Sequence, residues 1–287
     1  MEKDISTHIN TYNTGNYGLT FEKSGGVDYF ISRPLLDEHN ILVVFTTRRG
    51  GVSTDPYASL NLAFHVGDNP DNVIKNRDIV CRRLGLDAAR MVCAEQVHGA
   101  EVAVIGKFEA GRGAVSLKDS VPGVDALITA DPFIPLTLFF ADCVPVVLVE
   151  PNKRVISVVH AGWRGMYGEV IGNSIRMMVS TYGVHPSNFT AFIGPAIGGC
   201  CYQVGADVAE KFSHKFTHTA SWLNGTTLHL KELSKLQLIE NGIPPGNIYR
   251  CDGCCSSCRN DLFFSYRADG GTTGRQAAIA AILPDGA

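Results

Sequence analysis

The chain alternates between short apolar runs and polar, glycine-punctuated stretches. Ile41 to Thr47 (ILVVFTT) is continuous, β-branched and apolar, which predicts a strand buried on both faces. Asp125 to Ala130, Leu136 to Phe140, Val144 to Val149 and Val155 to Val159 repeat that pattern with only short turns between them, so the centre of the chain is predicted to be sheet. Met91 to Ala94, Glu101 to Ile105, Phe189 to Ile193 and Gln276 to Leu283 add further strands. Helical spacing is clearest where Asn69-Pro70 opens a segment with Val73, Val80 and Leu84 on one face and Gly85 as its stop. Gly168 to Thr181, Asp207 to Phe216 and Leu230 to Asn241 read as helices too. The order of elements is mixed, not a strict strand–helix alternation, and implies an α+β fold with sheets flanked by helices.

Two polar stretches break this pattern. Ser53 to Asp68 is dense in turn formers and predicts a long ordered loop, the kind that usually carries function. Lys107 to Val121 is weakly apolar and reads as a mobile surface loop. The polar start, residues 1–25, reads as a disordered leader before a single domain over 26–287.

Composition narrows the classes. With 287 residues and 45% hydrophobic content, the chain can bury a full core without staples. A formal net charge of -3 gives no basic footprint for nucleic acid. No apolar run approaches the ~20 residues needed to span a membrane, and no export signal is evident. A cytoplasmic location follows, in which the nine cysteines stay reduced and serve as core fillers, metal ligands or nucleophiles.

Three polar residues stand where predicted strands hand over to turns: His98 in Gln96-Val97-His98-Gly99, Cys143 in Ala141-Asp142-Cys143, and His160 at the head of His160-Ala161-Gly162-Trp163-Arg164-Gly165. Two imidazoles and a thiolate suit Zn²⁺ with an open fourth position. The same residues also permit a metal-free reading, with Cys143 as nucleophile, His160 as base and Asp142 orienting the histidine. Sequence alone leaves both open. Arg48 follows the first strand and precedes two glycines, where its guanidinium suits phosphate or carboxylate; Arg164, Arg267 and Arg275 are further anion-binding candidates. Cys251-x-x-Cys254-Cys255-x-x-Cys258 resembles a metal motif, but four thiolates in eight residues would wrap one ion very tightly, so a reduced, packed loop is expected. Cys200-Cys201 is expected to pack beside the Gly198-Gly199 turn.

Several separate motifs together resemble the YfiH, or laccase-domain, family, also called polyphenol oxidoreductase or peptidoglycan editing factor. They are Thr46-Thr47-Arg48 with Gly50-Gly51-Val52-Ser53, Ser59-Leu60-Asn61-Leu62, His65-Val66-Gly67-Asp68, Gln96 to Gly99, Ala141 to Cys143, His160 to Gly165, Ile193-Gly194-Pro195-Ala196-Ile197 and Phe263-Phe264-Ser265-Tyr266-Arg267. The resemblance implies a layered α/β/β/α sandwich, similar to that of a cytotoxic-necrotizing-factor-like cysteine hydrolase. It implies a zinc-dependent purine nucleoside phosphorylase that takes adenosine, inosine, guanosine or methylthioadenosine with phosphate, can deaminate adenosine, and acts as a monomer or weak homo-oligomer. The family's zinc ligands fall on His98, Cys143 and His160, and its catalytic arginine on Arg48. The expected catalytic set is therefore Arg48, Cys143 and His160. Two alternatives remain: an amide hydrolase or cell-wall editing enzyme using Cys143, and, from the family's older name, a copper polyphenol oxidoreductase. Ala268 stands where many relatives carry a second basic residue, and Gln203 where a glutamate is common, which touches substrate preference more than the metal ligands.

Overall fold

A computed structural model describes residues 17–216 and 218–284. In chain order its elements are β1 (Thr20–Ser24), β2 (Val27–Ile31), α1 (Arg33–His39), β3 (Ile41–Thr46), α2 (Pro70–Leu84), β4 (Val92–Cys93), β5 (Val102–Val104), β6 (Ala126–Thr129), β7 (Leu136–Phe140), β8 (Val144–Glu150), β9 (Val155–Ala161), α3 (Trp163–Tyr167), α4 (Val170–Tyr182), β10 (Thr190–Ile193), α5 (Ala206–Lys215), β11 (Leu223–Asn224), β12 (Thr227–Leu228), α6 (Leu230–Glu240), β13 (Ile248–Arg250) and β14 (Gln276–Ile282).

The strands build two six-stranded sheets, ordered β1-β2-β3-β14-β7-β4 and β13-β10-β8-β9-β6-β5. The period-2 alternation of each strand decides which layer a side chain joins. In β14, Ala278, Ala280 and Ile282 face inward with Phe45, Leu138 and Phe140, meeting Val147, Ile156, Val158 and Phe192 from the second sheet. The other face of β14, Ala277, Ile279 and Ala281, packs with Leu42, Val44 and Val80 beneath α2. The outer face of the second sheet, Val144, Val146, Val159 and Ile193, is covered by Val170, Ile171 and Met178 of α4 and by Leu233 and Leu238 of α6. The result is α/β/β/α layering, as expected.

Local chemistry sets the element ends. Asn69 accepts the Asp71 N–H at 2.9 Å and Pro70 opens α2, while Gly85, at φ 69°, closes it. The five residues of β2 are all buried, yet β2, like β1, α1, α3 and β13, carries no long periodic signal in the sequence. Of the leader expected over 1–25, residues 1–16 lie outside the described residues, while Thr20–Ser24 is a strand antiparallel to β2.

The stretch expected to be a mobile loop, Lys107 to Val121, is pinned instead. Buried Arg77 of α2 donates from Nη1 to the Gly113 and Ala114 carbonyls at 2.6 and 2.8 Å, and from Nε to Leu62 O at 2.8 Å. Its guanidinium lies between the rings of Phe64 and Phe139. A single side chain thus anchors two loops, because a buried guanidinium must spend its donors on acceptors. The Ser53 to Asp68 loop is ordered by similar means: Asn76 Nδ2 donates to Ser53 Oγ, Ser59 O and Asn61 O, and the Asp68 carboxylate accepts from Ser53 Oγ at 2.6 Å and Asn61 Nδ2 at 2.9 Å.

Candidate metal centre

Strand register creates the site. β8 and β9 are antiparallel, with Val144 opposite Ala161 and Pro145 opposite His160, so Cys143 and His160 meet at one end of the hairpin. β9 continues past Val159 to Ala161, which places His160 within the strand rather than after it. On its other side β6 pairs Ala126 with Val159, and Asp125 therefore lies beside His160. The connection from β4 to β5 brings His98 onto the same spot.

His98, Cys143 and His160 each present one ligand atom, and the three atoms lie within 4.8 Å of one another. The two imidazole rings meet edge to face at 4.9 Å. His160 is buried, Cys143 is half-buried and His98 is exposed, so the cluster opens to solvent on one side. Gly162 makes the approach possible: a Cβ there would lie 3.0 Å from Cys143 Sγ and 3.1 Å from His98 Cδ2. Two soft-to-borderline nitrogen donors and one thiolate in this spacing fit a zinc ion with a free position.

Asp125 organises the centre. Its carboxylate accepts the backbone N–H groups of Val97, His98 and Gly99 at 3.2, 3.1 and 2.6 Å. These bonds hold His98 at φ 60°, a left-handed conformation that a histidine adopts only under constraint. Asp125 Oδ1 also meets His160 Nδ1 at 2.7 Å, which fixes the tautomer and leaves Nε2 for the cluster. Burial raises the Asp125 carboxyl, but the bonds from His160 and from the Gly99 and Val97 amides outweigh it and leave it below its ordinary range.

The electrostatics match. Burial alone would push the Cys143 thiol up; His160 and then His98 overcome it and bring it to about 6. Burial likewise lowers His160, while the Cys143 thiolate and then Asp125 raise it to about 9. In the metal-free protein this is a thiolate–imidazolium pair ready to take a cation in place of the proton.

Asp142, expected as the histidine's orienting partner in the metal-free reading, does something else. Its carboxylate accepts from Ser256 Oγ and Ser265 Oγ, both at 2.6 Å, and from the Arg267 N–H at 2.7 Å. At φ 88° it sets the turn that presents Cys143, while Asp125 takes the orienting role. Asp125 was visible in the sequence only as the start of a strand; the pattern carries no register, and register is what pairs it with His160.

Other candidates sort by their partners. Gln96 exchanges two hydrogen bonds with the Phe139 backbone, at 2.9 and 2.8 Å, and is a brace. Phe140 is buried against the His160 ring and packs the inner side of the cluster. Arg48 donates from Nε to Ala58 O at 3.0 Å and from Nη1 to Asn260 O at 2.9 Å, with its guanidinium over Phe264. Arg275 is close enough to feel the charges of Cys143 and Asp142, and Tyr266 lies beside it. His65 sits in the same field: desolvation first, then the charges of Arg275, His160 and His98, push it down to about 4, so it is neutral at pH 7.

The cysteine motif divides in two. Cys251 and Cys254 turn into the core between the sheets. Cys255 and Cys258 instead join Cys200 and Cys201, with all four sulfurs within 4.8 Å of one another. The packed loop expected from spacing is thus a shared cluster, because the 198–202 turn lies against the 254–258 turn.

The sequence matches the family described as multi-copper polyphenol oxidoreductase laccase over residues 42–283. It is 40% identical over 240 residues to a protein named purine nucleoside phosphorylase YlmD from Geobacillus stearothermophilus, covering 82% of this chain and 87% of that one. A purine nucleoside phosphorylase YlmD from Bacillus subtilis is 33% identical over 83% of this chain and 87% of its own. Among solved structures, YlmD from Geobacillus stearothermophilus superposes with a TM-score of 0.86 at 36% identity, covering 92% of this chain and 99% of that chain. A Bacillus licheniformis hypothetical protein YfiH gives a TM-score of 0.85 at 33% identity over the same shares. No helix among the described residues is long and apolar enough to cross a membrane.

Proposed function

The chain belongs to the multi-copper polyphenol oxidoreductase laccase family, and we propose that within it this protein is a zinc-dependent purine nucleoside phosphorylase. The observation that carries the reading is the convergence of His98, Cys143 and His160 on one point in a chain whose relatives bear the name purine nucleoside phosphorylase. Adenosine, inosine, guanosine and methylthioadenosine are the substrates we assign, with phosphate as co-substrate and deamination of adenosine as a second activity.

His98, Cys143 and His160 would hold the zinc, which would supply Lewis acidity to the reaction. The chain's own groups do the rest. Asp125 keeps the His160 ring in one tautomer and orientation. Arg275, in the field of Cys143 and Asp142, is the guanidinium placed to hold phosphate through paired donors, and Arg48, over the Phe264 ring, is the second candidate. His65, neutral at pH 7, offers a ring N–H to a substrate oxygen or nitrogen without adding charge. Tyr266, exposed next to Arg275, gives a flat apolar face suited to a purine.

One observation favours a second reading. The Cys143–His160–Asp125 chain has the order of a cysteine hydrolase triad, with a thiol held at about 6. The family's copper name finds less support, since among the described residues one ligand group contains imidazole and it has three donors.

The deciding experiment measures free base released from adenosine and inosine, with and without phosphate, before and after chelation and zinc replacement. Release that requires both phosphate and zinc supports the phosphorylase. Amide hydrolysis that survives chelation and stops on alkylation of Cys143 would establish the hydrolase in its place.

A further inference from the structure

We propose that Cys200, Cys201, Cys255 and Cys258 form a second zinc site, a closed four-thiolate knot that is structural and separate from the His98–Cys143–His160 centre.

The spacing is that of a single tetrahedral ion. Cys258 Sγ lies 3.5 Å from Cys200 Sγ and 3.3 Å from Cys201 Sγ, and all four sulfurs fall within 4.8 Å of one another. Four sulfurs bound at about 2.3 Å to one zinc lie about 3.8 Å apart. An iron–sulfur cluster would hold its thiolates farther apart, because iron and sulfide stand between them. A disulfide would need one pair at about 2.05 Å, with the rest left over.

The surroundings are built for thiolate. Cys255 Sγ accepts the Gly198 N–H at 3.2 Å and the Cys258 N–H at 3.5 Å, the outer bonds that orient a metal-bound sulfur. Glycine at 198 leaves room for the sulfurs: a Cβ there would lie 3.0 Å from Cys200 Sγ and 3.4 Å from Cys255 Sγ. The two turns are already tied by backbone, with Ala196 N donating to Cys254 O at 3.3 Å and Ser256 N to Ala196 O at 3.0 Å. Each thiol that binds releases its proton to solvent, so uptake needs no oxidant.

The placement gives the knot a purpose. Ser256 is the residue after Cys255, and its hydroxyl holds the Asp142 carboxylate that sets the Cys143 turn. Arg267 reaches from the same segment to Asp142 through its N–H and to Gln203 O through Nη2. The second ion would lock this wall of the cleft to the turn that carries Cys200 and Cys201.

The test is zinc content of the full chain, reconstituted with excess zinc under reducing conditions and then desalted. Two zinc per chain are expected; His98→Ala should lose one, Cys200→Ser with Cys258→Ser should lose the other, and the combination should lose both. One zinc per chain, abolished by His98→Ala and untouched by the cysteine changes, would overturn the proposal while leaving the catalytic centre intact. Should the cysteine variants fail to fold, thiol titration of the wild-type protein decides the matter. Cys200 and Cys258 are exposed, so as free thiols they react at once, and as ligands only after chelation. Immediate reaction that ignores the chelator rejects the second site.

Discussion

Asp125 and His160 are joined twice: the His160 N–H donates to the Asp125 carbonyl at 2.7 Å, and the Asp125 carboxylate meets His160 Nδ1, also at 2.7 Å. The same carboxylate takes three amides from the turn that carries His98. One residue thus positions two of the three donors. Asp125→Asn keeps the volume but turns an NH₂ toward amides that also donate. Zinc affinity, measured by competition with a colorimetric chelator, should fall about 10- to 100-fold, as for other partners of metal-bound histidine. An unchanged affinity would separate Asp125 from the metal site.

In the metal-free protein the Cys143 thiol sits at about 6 instead of its ordinary 9, and His160 at about 9 instead of 6.5. The depressed thiol contributes stability that is lost as pH falls through about 6. The raised imidazole contributes stability that is lost as pH rises through about 9. The melting temperature of the chelated protein should therefore peak between these limits. Alkylation of Cys143 by iodoacetamide should fall away as pH drops through about 6, since only the thiolate attacks. Zinc should suppress that reaction throughout. A midpoint near the ordinary thiol value would refute the pairing.

Arg48 and Arg275 each donate to two backbone carbonyls, but Arg275 also lies in the field of Cys143 and Asp142, and substitution should separate the two roles. Arg48 spends Nε and Nη1 on Ala58 O and Asn260 O, so Arg48→Met leaves two part-buried carbonyls without that donor and should cost about 1 kcal/mol in urea unfolding. Arg275→Met frees the Thr273 and Gly274 carbonyls that its Nη1 holds at 2.8 and 2.9 Å, and should in addition raise the KM for phosphate, about tenfold or more if one charge-assisted contact is lost. The opposite assignment, a phosphate effect confined to Arg48, would restore the role that the sequence resemblance gives it.

Gly162→Ala places a methyl 3.0 Å from Cys143 Sγ and 3.1 Å from His98 Cδ2. The two ligands have to give by a few tenths of an ångström. We expect weaker zinc binding and lower metal-dependent activity, with far-UV circular dichroism unchanged, because Gly162 is at an ordinary φ of -73°. Full zinc retention would show that the ligands are less constrained than this geometry implies.

Much of the fold was legible where burial is two-sided. The runs at 41–46, 136–140 and 144–150 are mostly apolar, are buried at every position, and read directly as central strands. Helix α2 was legible through Asn69, Pro70 and Gly85. The short strand β13 has no such signature, since its three residues pair with β10 only because the rest of the fold delivers them there. The same limit applies to the site. His98, Cys143 and His160 could be picked out by residue type and by their place beside glycine turns. Asp125 could not, because its role depends on which strand lies next to β9. The cysteine cluster was not legible for the same reason: spacing suggested a packed loop over 251–258, and only the packing of the 198–202 turn against it brings Cys200 and Cys201 to Cys255 and Cys258.

β14 sits between β3 and β7, antiparallel to both, although it is made after every other described strand. Until residues 276–282 leave the ribosome, the first sheet exists as two separated pieces with open edges. Arg275, immediately before β14, and the Thr46 hydroxyl, which accepts the Ala277 N–H at 2.9 Å, wait on the same event. A nascent chain therefore carries neither a closed core nor a finished cleft, and a messenger truncated before this strand yields an aggregation-prone fragment rather than a partly active enzyme.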